Sequence, residues 1–140
     1  VGSVLDGGAV SVIYGALDTG LDLSSAQYWT QDSTGIQDTA ENNDQFGWSL
    51  AAGDFDHDLV DDLAIGAHKE GVPGASQAGA VHVIYGIDGI GLASTGNAQF
   101  DQFAFGDSPE TGESFGWALA VGRFDGDAYD DLAIGTPAER

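Results

Sequence analysis

The sequence predicts an all-β chain of four-stranded antiparallel propeller blades, with two repeats' worth of sequence in circularly permuted phase. Three observations carry that prediction. The first is composition: 22 glycines and 10% aromatics in 140 residues, with few long runs of helix formers, suit short strands joined by tight turns. The second is self-similarity. Phe46-Gly47-Trp48 recurs as Phe115-Gly116-Trp117, Gly53-Asp54-Phe55 as Gly122-Arg123-Phe124, and Asp61-Asp62-Leu63-Ala64-Ile65-Gly66 as Asp130-Asp131-Leu132-Ala133-Ile134-Gly135, each 69 residues on. Gly8-Ala9-Val10-Ser11-Val12-Ile13-Tyr14-Gly15 returns as Gly79-Ala80-Val81-His82-Val83-Ile84-Tyr85-Gly86, 71 residues on. The third is the content of one period. Four short strand-like segments in about 70 residues make one large blade.

The elements of one period follow in order. Residues 46–53 are small and apolar, fit for a crowded inner strand. An acidic loop comes next, then Leu63 to Ala67, a short apolar run of the buried-strand type. A glycine-rich connection over 70–79 leads into Val81 to Tyr85, whose β-branched and aromatic side chains suit a pleated strand. Gly86 closes that strand, and Ala98-Gln99-Phe100, matched by Ala26-Gln27-Tyr28, marks a weaker outer one. Residues 1–45 are then the C-terminal half of a blade with its outer strand and connection. Residues 46–112 are a full blade and connection, and 113–140 the N-terminal half of the next. The links at 30–45 and 102–114 are polar and differ between copies, so no element is assigned there.

Charge excludes some function classes. Twenty-three acids stand against Lys69, Arg123 and Arg140, for a net charge of −20, which repels nucleic acid and anionic lipid surfaces. No apolar run reaches the length of a membrane span, so membrane insertion is not expected. Without cysteine no disulfide can staple a small β unit, which leaves metal ions as the obvious staple. The lack of methionine, with Val1 first, predicts a chain processed or excised from a longer one. Its two ends would meet within one glycine-rich connection. That phase fits either a piece broken in an exposed loop or a unit that closes its propeller by self-assembly or fragment complementation.

The acidic loop is the most informative stretch. Asp54, Asp56, Asp58 and Asp62 occupy positions 1, 3, 5 and 9 of a nine-residue segment, with the main-chain carbonyl of Val60 at position 7. Carboxylates so close repel one another unless a cation sits among them, and alternate hard oxygen ligands in a tight loop suit Ca²⁺. An EF-hand would need glutamate at position 12, where this chain has Ile65.

Phe-Gly, a Gly-Asp-Phe-Asp loop, Asp-Asp-Leu-Ala-Ile-Gly and Gly-Ala-Val-x-Val-Ile-Tyr-Gly, in that order and repeated, resemble the FG-GAP repeat. This is the unit of the integrin α-subunit N-terminal β-propeller and of related bacterial secreted propellers. The resemblance implies a ring of about seven four-stranded blades. It also implies Ca²⁺ in the loop between the first two strands of a blade, and ligands on the opposite face. Carried onto the second copy, it implies a further site from Asp125, Asp127 and Asp131 with the Tyr129 carbonyl. Two departures bear on these sites. The family usually has glycine at the sixth loop position, where Leu59 and Ala128 stand here. Arg123 replaces the first ligand of the second loop, which predicts a weaker site with the guanidinium paired to Asp125 or Asp127.

Other signals point away from catalysis. Gly112-Glu113-Ser114-Phe115-Gly116 matches the G-x-S-x-G nucleophile pattern, but no histidine follows Ser114 and the other copy has Gln45 in its place. His57, His68 and His82 lack zinc spacing. Trp48 and Trp117 stand at equivalent positions, which argues for packing between blades; Trp29 is unmatched and reads as packing before sugar stacking. The expectation is a non-enzymatic, calcium-binding, integrin-like module of an extracellular or cell-surface protein, presenting loops for adhesion to a protein or glycan ligand. The alternatives are a carbohydrate-binding (lectin-like) propeller and an accessory propeller of a secreted hydrolase or lyase.

Overall fold

The computed structural model describes residues 4–139. Eight strands follow one another: β1 (Val10–Ala16), β2 (Gly20–Trp29), β3 (Ser49–Gly53), β4 (Asp62–Ala67), β5 (Ala80–Ile87), β6 (Gly91–Phe100), β7 (Ala118–Gly122) and β8 (Asp131–Gly135). A 3₁₀ turn over Gln102–Phe105 is the one helical element among the described residues. The strands form a four-stranded sheet in the order β3-β4-β5-β6, flanked by the pairs β1-β2 and β7-β8, and every ladder is antiparallel. This is the expected all-β architecture of successive blades.

The repeat extends to backbone detail. The ladder from Ser49 opposite Gly66 to Gly53 opposite Asp62 is copied by Ala118 opposite Gly135 to Gly122 opposite Asp131. Both outer pairs slip register at matching places, between Val12 and Tyr14 and between Val83 and Tyr85. The outer strand β6 begins at Gly91, well before the Ala98-Gln99-Phe100 segment legible in the sequence. Its earlier half, Ala93 to Gly96, is half-buried to exposed and carries Ser94, Thr95 and Gly96, so apolar alternation does not betray it.

Strand alternation sends neighbouring side chains to opposite faces of the central sheet, and each face packs on a different neighbour. Ile65 and Ile84 join Val10, Ile36, Phe46 and Leu92 in the core shared with the β1-β2 pair. Ala64, Val81 and Val83 join Phe115 in the core toward β7-β8. Fully burying an Ile or Phe side chain contributes about 2–3 kcal/mol, so these two layers hold adjacent blades together.

The Phe-Gly pairs are the latches between blades. The Phe46 N–H donates to the Gly7 carbonyl at 3.0 Å and the Phe115 N–H to the Ala78 carbonyl at 2.7 Å. Phe46 and Phe115 are 2% and 4% exposed, so each ring anchors in the core of the preceding unit. Close backbone approach explains the glycines opposite them. A Cβ on Gly8 would stand 2.2 Å from the Phe46 oxygen, and one on Gly79 2.2 Å from the Phe115 oxygen. Trp48 and Trp117 meet across the same junction with ring centroids 5.2 Å apart, over buried His68.

Candidate metal centre

The β3-β4 hairpin presents the acidic loop at one end of the central sheet. Asp62, the first residue of β4, is 1% exposed and closes the loop from below. Its Oδ2 accepts the Phe55 N–H at 2.8 Å and its Oδ1 the Gly86 N–H at 2.9 Å, which joins the loop to β5. Burial nevertheless pushes the Asp62 carboxyl above its ordinary range, with Asp56 and Asp58 adding to that direction.

Above it, Asp54, Asp56 and Asp58 each offer a carboxylate oxygen, and the three oxygens lie within 4.8 Å of one another. Local bonds fix this shape. Asp54 accepts the Asp58 and Leu59 N–H groups at 2.9 and 3.1 Å, and Asp58 accepts the Val60 N–H at 2.8 Å. His57 and Leu59 both take left-handed φ values, 64° and 75°. The glycine-like turn at the sixth position is therefore made by leucine, whose side chain projects into solvent at 85% exposure. The basic side chain paired to the trio among the described residues is His57, with Nδ1 3.8 Å from Asp54 Oδ2. Asp62 lies outside the trio, and each of its oxygens is already engaged by one backbone N–H.

The second loop copies the scaffold but not the cluster. The Phe124 N–H donates to Asp131 Oδ2 at 2.6 Å, Asp127 to Asp125 Oδ1 at 3.0 Å, and the Tyr129 N–H to Asp127 Oδ1 at 2.8 Å. Among the described residues its acids do not gather as Asp54, Asp56 and Asp58 do. Arg123 does not pair with Asp125 or Asp127, as its place in the sequence suggested. Its Nε donates to Asp130 Oδ1 at 3.0 Å, and this bond holds the Asp130 carboxyl below its ordinary range. Asp130 and Asp54 then exchange hydrogen bonds, joining the two loops. Sequence reading passed over Asp130. The signal available was the aspartate doublet at 130–131 facing the new arginine at the loop's first position.

The remaining candidates are placed elsewhere. The Ser114 hydroxyl donates to the Gly112 carbonyl at 3.4 Å, in a turn where Ser114 takes a φ of 65° and its counterpart Gln45 one of 58°. Trp29 is half-buried against the first core, with Nε1 3.4 Å from Gln27 Oε1, so packing accounts for it. No helix among the described residues is long and apolar enough to cross a membrane.

Comparison with known proteins agrees with this geometry. The family model described as FG-GAP repeat matches residues 46–84 and 115–140, the segments holding both Phe-Gly latches and both loops. Phosphatidylinositol-glycan-specific phospholipase D of Bos taurus is 32% identical over 130 residues, covering 93% of this chain and 14% of that protein. The Rattus norvegicus protein of the same name is 38% identical over 96 residues, covering 67% of this chain and 11% of the relative. Integrin alpha-PS2 of Drosophila melanogaster is 32% identical over 130 residues, covering 89% of this chain and 8% of the relative. The chain thus spans about a tenth of the length of these relatives. It belongs to the FG-GAP repeat family, and its sheets are blades of an integrin-like β-propeller.

Proposed function

We propose that this chain is a calcium-stapled, non-catalytic interaction module of an extracellular propeller. Ca²⁺ binds the carboxylates of Asp54, Asp56 and Asp58 and the Val60 carbonyl, with Asp62 completing the set beneath them. The observation that carries this reading is the convergence of three carboxylate oxygens within 4.8 Å, with His57 the one basic side chain paired to them among the described residues. An all-oxygen set of this charge suits a hard cation, and filling it removes the mutual repulsion of the loop acids. Asp125, Asp127, Asp131 and the Tyr129 carbonyl form a weaker second site, because the first carboxylate is missing there.

The two loops are tied to each other and to β5, so an ion at Asp54 stiffens the junction between blades. A stiff scaffold then presents the connections of the opposite rim to a protein or glycan partner, and adhesion is the role this serves. Relatedness to integrin alpha-PS2 supports that choice, while relatedness to the phospholipases supports an accessory propeller whose chemistry lies in other domains.

Thermal melting with Ca²⁺ and with excess chelator tests the metal reading. At 100 times its dissociation constant the ion adds about 2.7 kcal/mol, an increase of roughly 10 °C in Tm for a chain of this size. Asp56→Asn is expected to abolish most of that increase. Identical melting with and without chelator would overturn the proposal.

A further inference from the structure

Away from the aspartate loop, at the other end of β3 and β4, the strand connections gather a different set of acids. Glu41 and Asp44 lie in the connection entering β3, Glu70 follows β4, and Gln31 leaves β2 of the preceding unit. One carboxylate oxygen from each of Glu41, Asp44 and Glu70 lies within 4.8 Å of the others. Asp44 and Glu70 are 2% and 1% exposed, and among the described residues neither has a basic partner within ion-pair distance. Burial first, then Asp38 and the other nearby acids, pushes the Glu70 carboxyl up to about 8.

An acid cluster alone says little; Gln31 adds an independent sign. It is 1% exposed, and its Nε2 donates to Glu70 Oε2 at 2.5 Å, so its amide end is aimed into the cluster. The other end of that amide, Oε1, is buried with no partner. Flipping the amide would not help, since it would orphan the NH₂ instead. A buried acceptor left without a donor needs an electropositive partner.

The second copy repeats the hydrogen bonds with Gln102, Glu110, Glu113 and Glu139, although among the described residues its carboxylates do not gather as those of the first copy do. Gln102 Nε2 donates to Glu139 Oε2 at 2.5 Å, and the Glu110 N–H to Glu113 Oε2 at 2.6 Å. In the first copy the Glu41 N–H donates to Asp44 Oδ2 in the same way. Gln102 Oε1 and Glu113 Oε1 are again buried and unpartnered. Two copies with different acids, Asp44 and Glu113, thus keep the same unsatisfied oxygen. No element of the aspartate-loop reading accounts for that.

We propose that Glu41, Asp44, Glu70 and Gln31 Oε1 form a second kind of cation site, which takes a hard divalent ion of the Ca²⁺ type at the junction of successive blades. The donors are all oxygens and include no thiolate or imidazole, which selects against zinc. Exposed Glu41 leaves a path for the ion to enter. The ion bridges the strand connection of one blade and the loop of the next, so it clamps the rim opposite the aspartate loop.

The test uses Mn²⁺ as a paramagnetic probe and Ca²⁺ as competitor, in the chain carrying Asp56→Asn and Asp58→Asn. The two sites sit at opposite ends of β3, roughly 17 Å apart, so broadening of amide resonances separates them. Broadening centred on residues 31, 41, 44 and 70, reversed by Ca²⁺, is expected. Adding Glu70→Gln is expected to weaken that binding about tenfold or more. This variant replaces a buried carboxyl with an amide of nearly the same shape beside Gln31, so the fold has no reason to fail. Absence of broadening at those amides in the folded chain, with Glu70 titrating as a simple buried acid, would overturn the proposal. Equal Mn²⁺ binding by the Glu70→Gln chain would overturn it as well. Either result leaves the aspartate-loop proposal standing, because that loop is disabled throughout.

Discussion

Asp130 and Asp54 bond reciprocally across two successive blades: the Asp54 N–H donates to Asp130 Oδ2 at 3.1 Å, and the Asp130 N–H to the Asp54 carbonyl at 3.2 Å. Arg123 holds the other Asp130 oxygen at 3.0 Å. The arginine that replaces a ligand in the second loop thus supports the residue that braces the first. Arg123→Asp exchanges these roles. Calcium affinity of the second loop, followed by titration calorimetry, is expected to rise about tenfold or more, since that loop regains its first carboxylate. The lost ion pair is exposed, so little stability is expected to go with it. An unchanged affinity at the second loop would show that Arg123 is not what weakens it.

The Gly79–Phe115 contact should be intolerant of any side chain. Gly79 has a φ of 95° and a Cβ there would lie 2.2 Å from the Phe115 oxygen, whereas Gly74, with a φ of 91°, has nothing within 4 Å. Gly74→Ala carries only left-handed strain, about 1–2 kcal/mol. Gly79→Ala adds a backbone collision and is expected to cost at least about 3 kcal/mol in urea unfolding. Equal losses at the two positions would mean that the inter-blade latch yields freely.

Leu59 is expected to be suboptimal. It holds a φ of 75° with its side chain 85% exposed, so Leu59→Gly removes left-handed strain and loses almost no packing. Net stabilisation of about 0.5–1 kcal/mol is expected, because the strain relieved slightly exceeds the chain entropy added. Chemical denaturation of the chelated protein checks this, and a clear loss of stability would mean that Leu59 makes a contact of its own.

His82 predicts an acid-side loss of stability. It is fully buried beside Phe46, both ring nitrogens lack partners, and burial pushes its pKa down to about 4 against weak opposition from Asp38. Between pH 6.5 and about 4 the unfolded chain binds a proton that the folded chain refuses. The stability this neutral histidine supports is therefore present above pH 6.5 and falls as pH drops toward 4, by roughly 3 kcal/mol. Measured against His82→Leu, the parent chain should lose that amount over the interval. Parallel pH profiles for the two proteins would refute the assignment, and the comparison cancels the opposing contributions of Asp44 and Glu70.

Much of this could be read along the chain because it is local. The alternation of Leu63, Ala64 and Ile65 fixes which side chains face which neighbouring blade. The spacing of Asp54, Asp56 and Asp58 on a tight hairpin is enough to bring their carboxylates together. Outer strands were harder, because a face turned to water imposes no apolar period; β6 from Gly91 to Gly96 is the case in point. The polar connections at 30–45 and 102–114 were silent for the same reason, although they carry Gln31 and Gln102.

The repeat, the blade and the acid loop are legible along the chain, since periodicity and near-neighbour spacing are properties of the chain alone. That Arg123 takes Asp130, that Asp130 braces Asp54, and that Gln31 meets Glu70 across 39 residues came from the folded arrangement. Those partnerships depend on how twisted sheets dock face to face. Docking is set by the summed packing of both layers, which no single segment encodes.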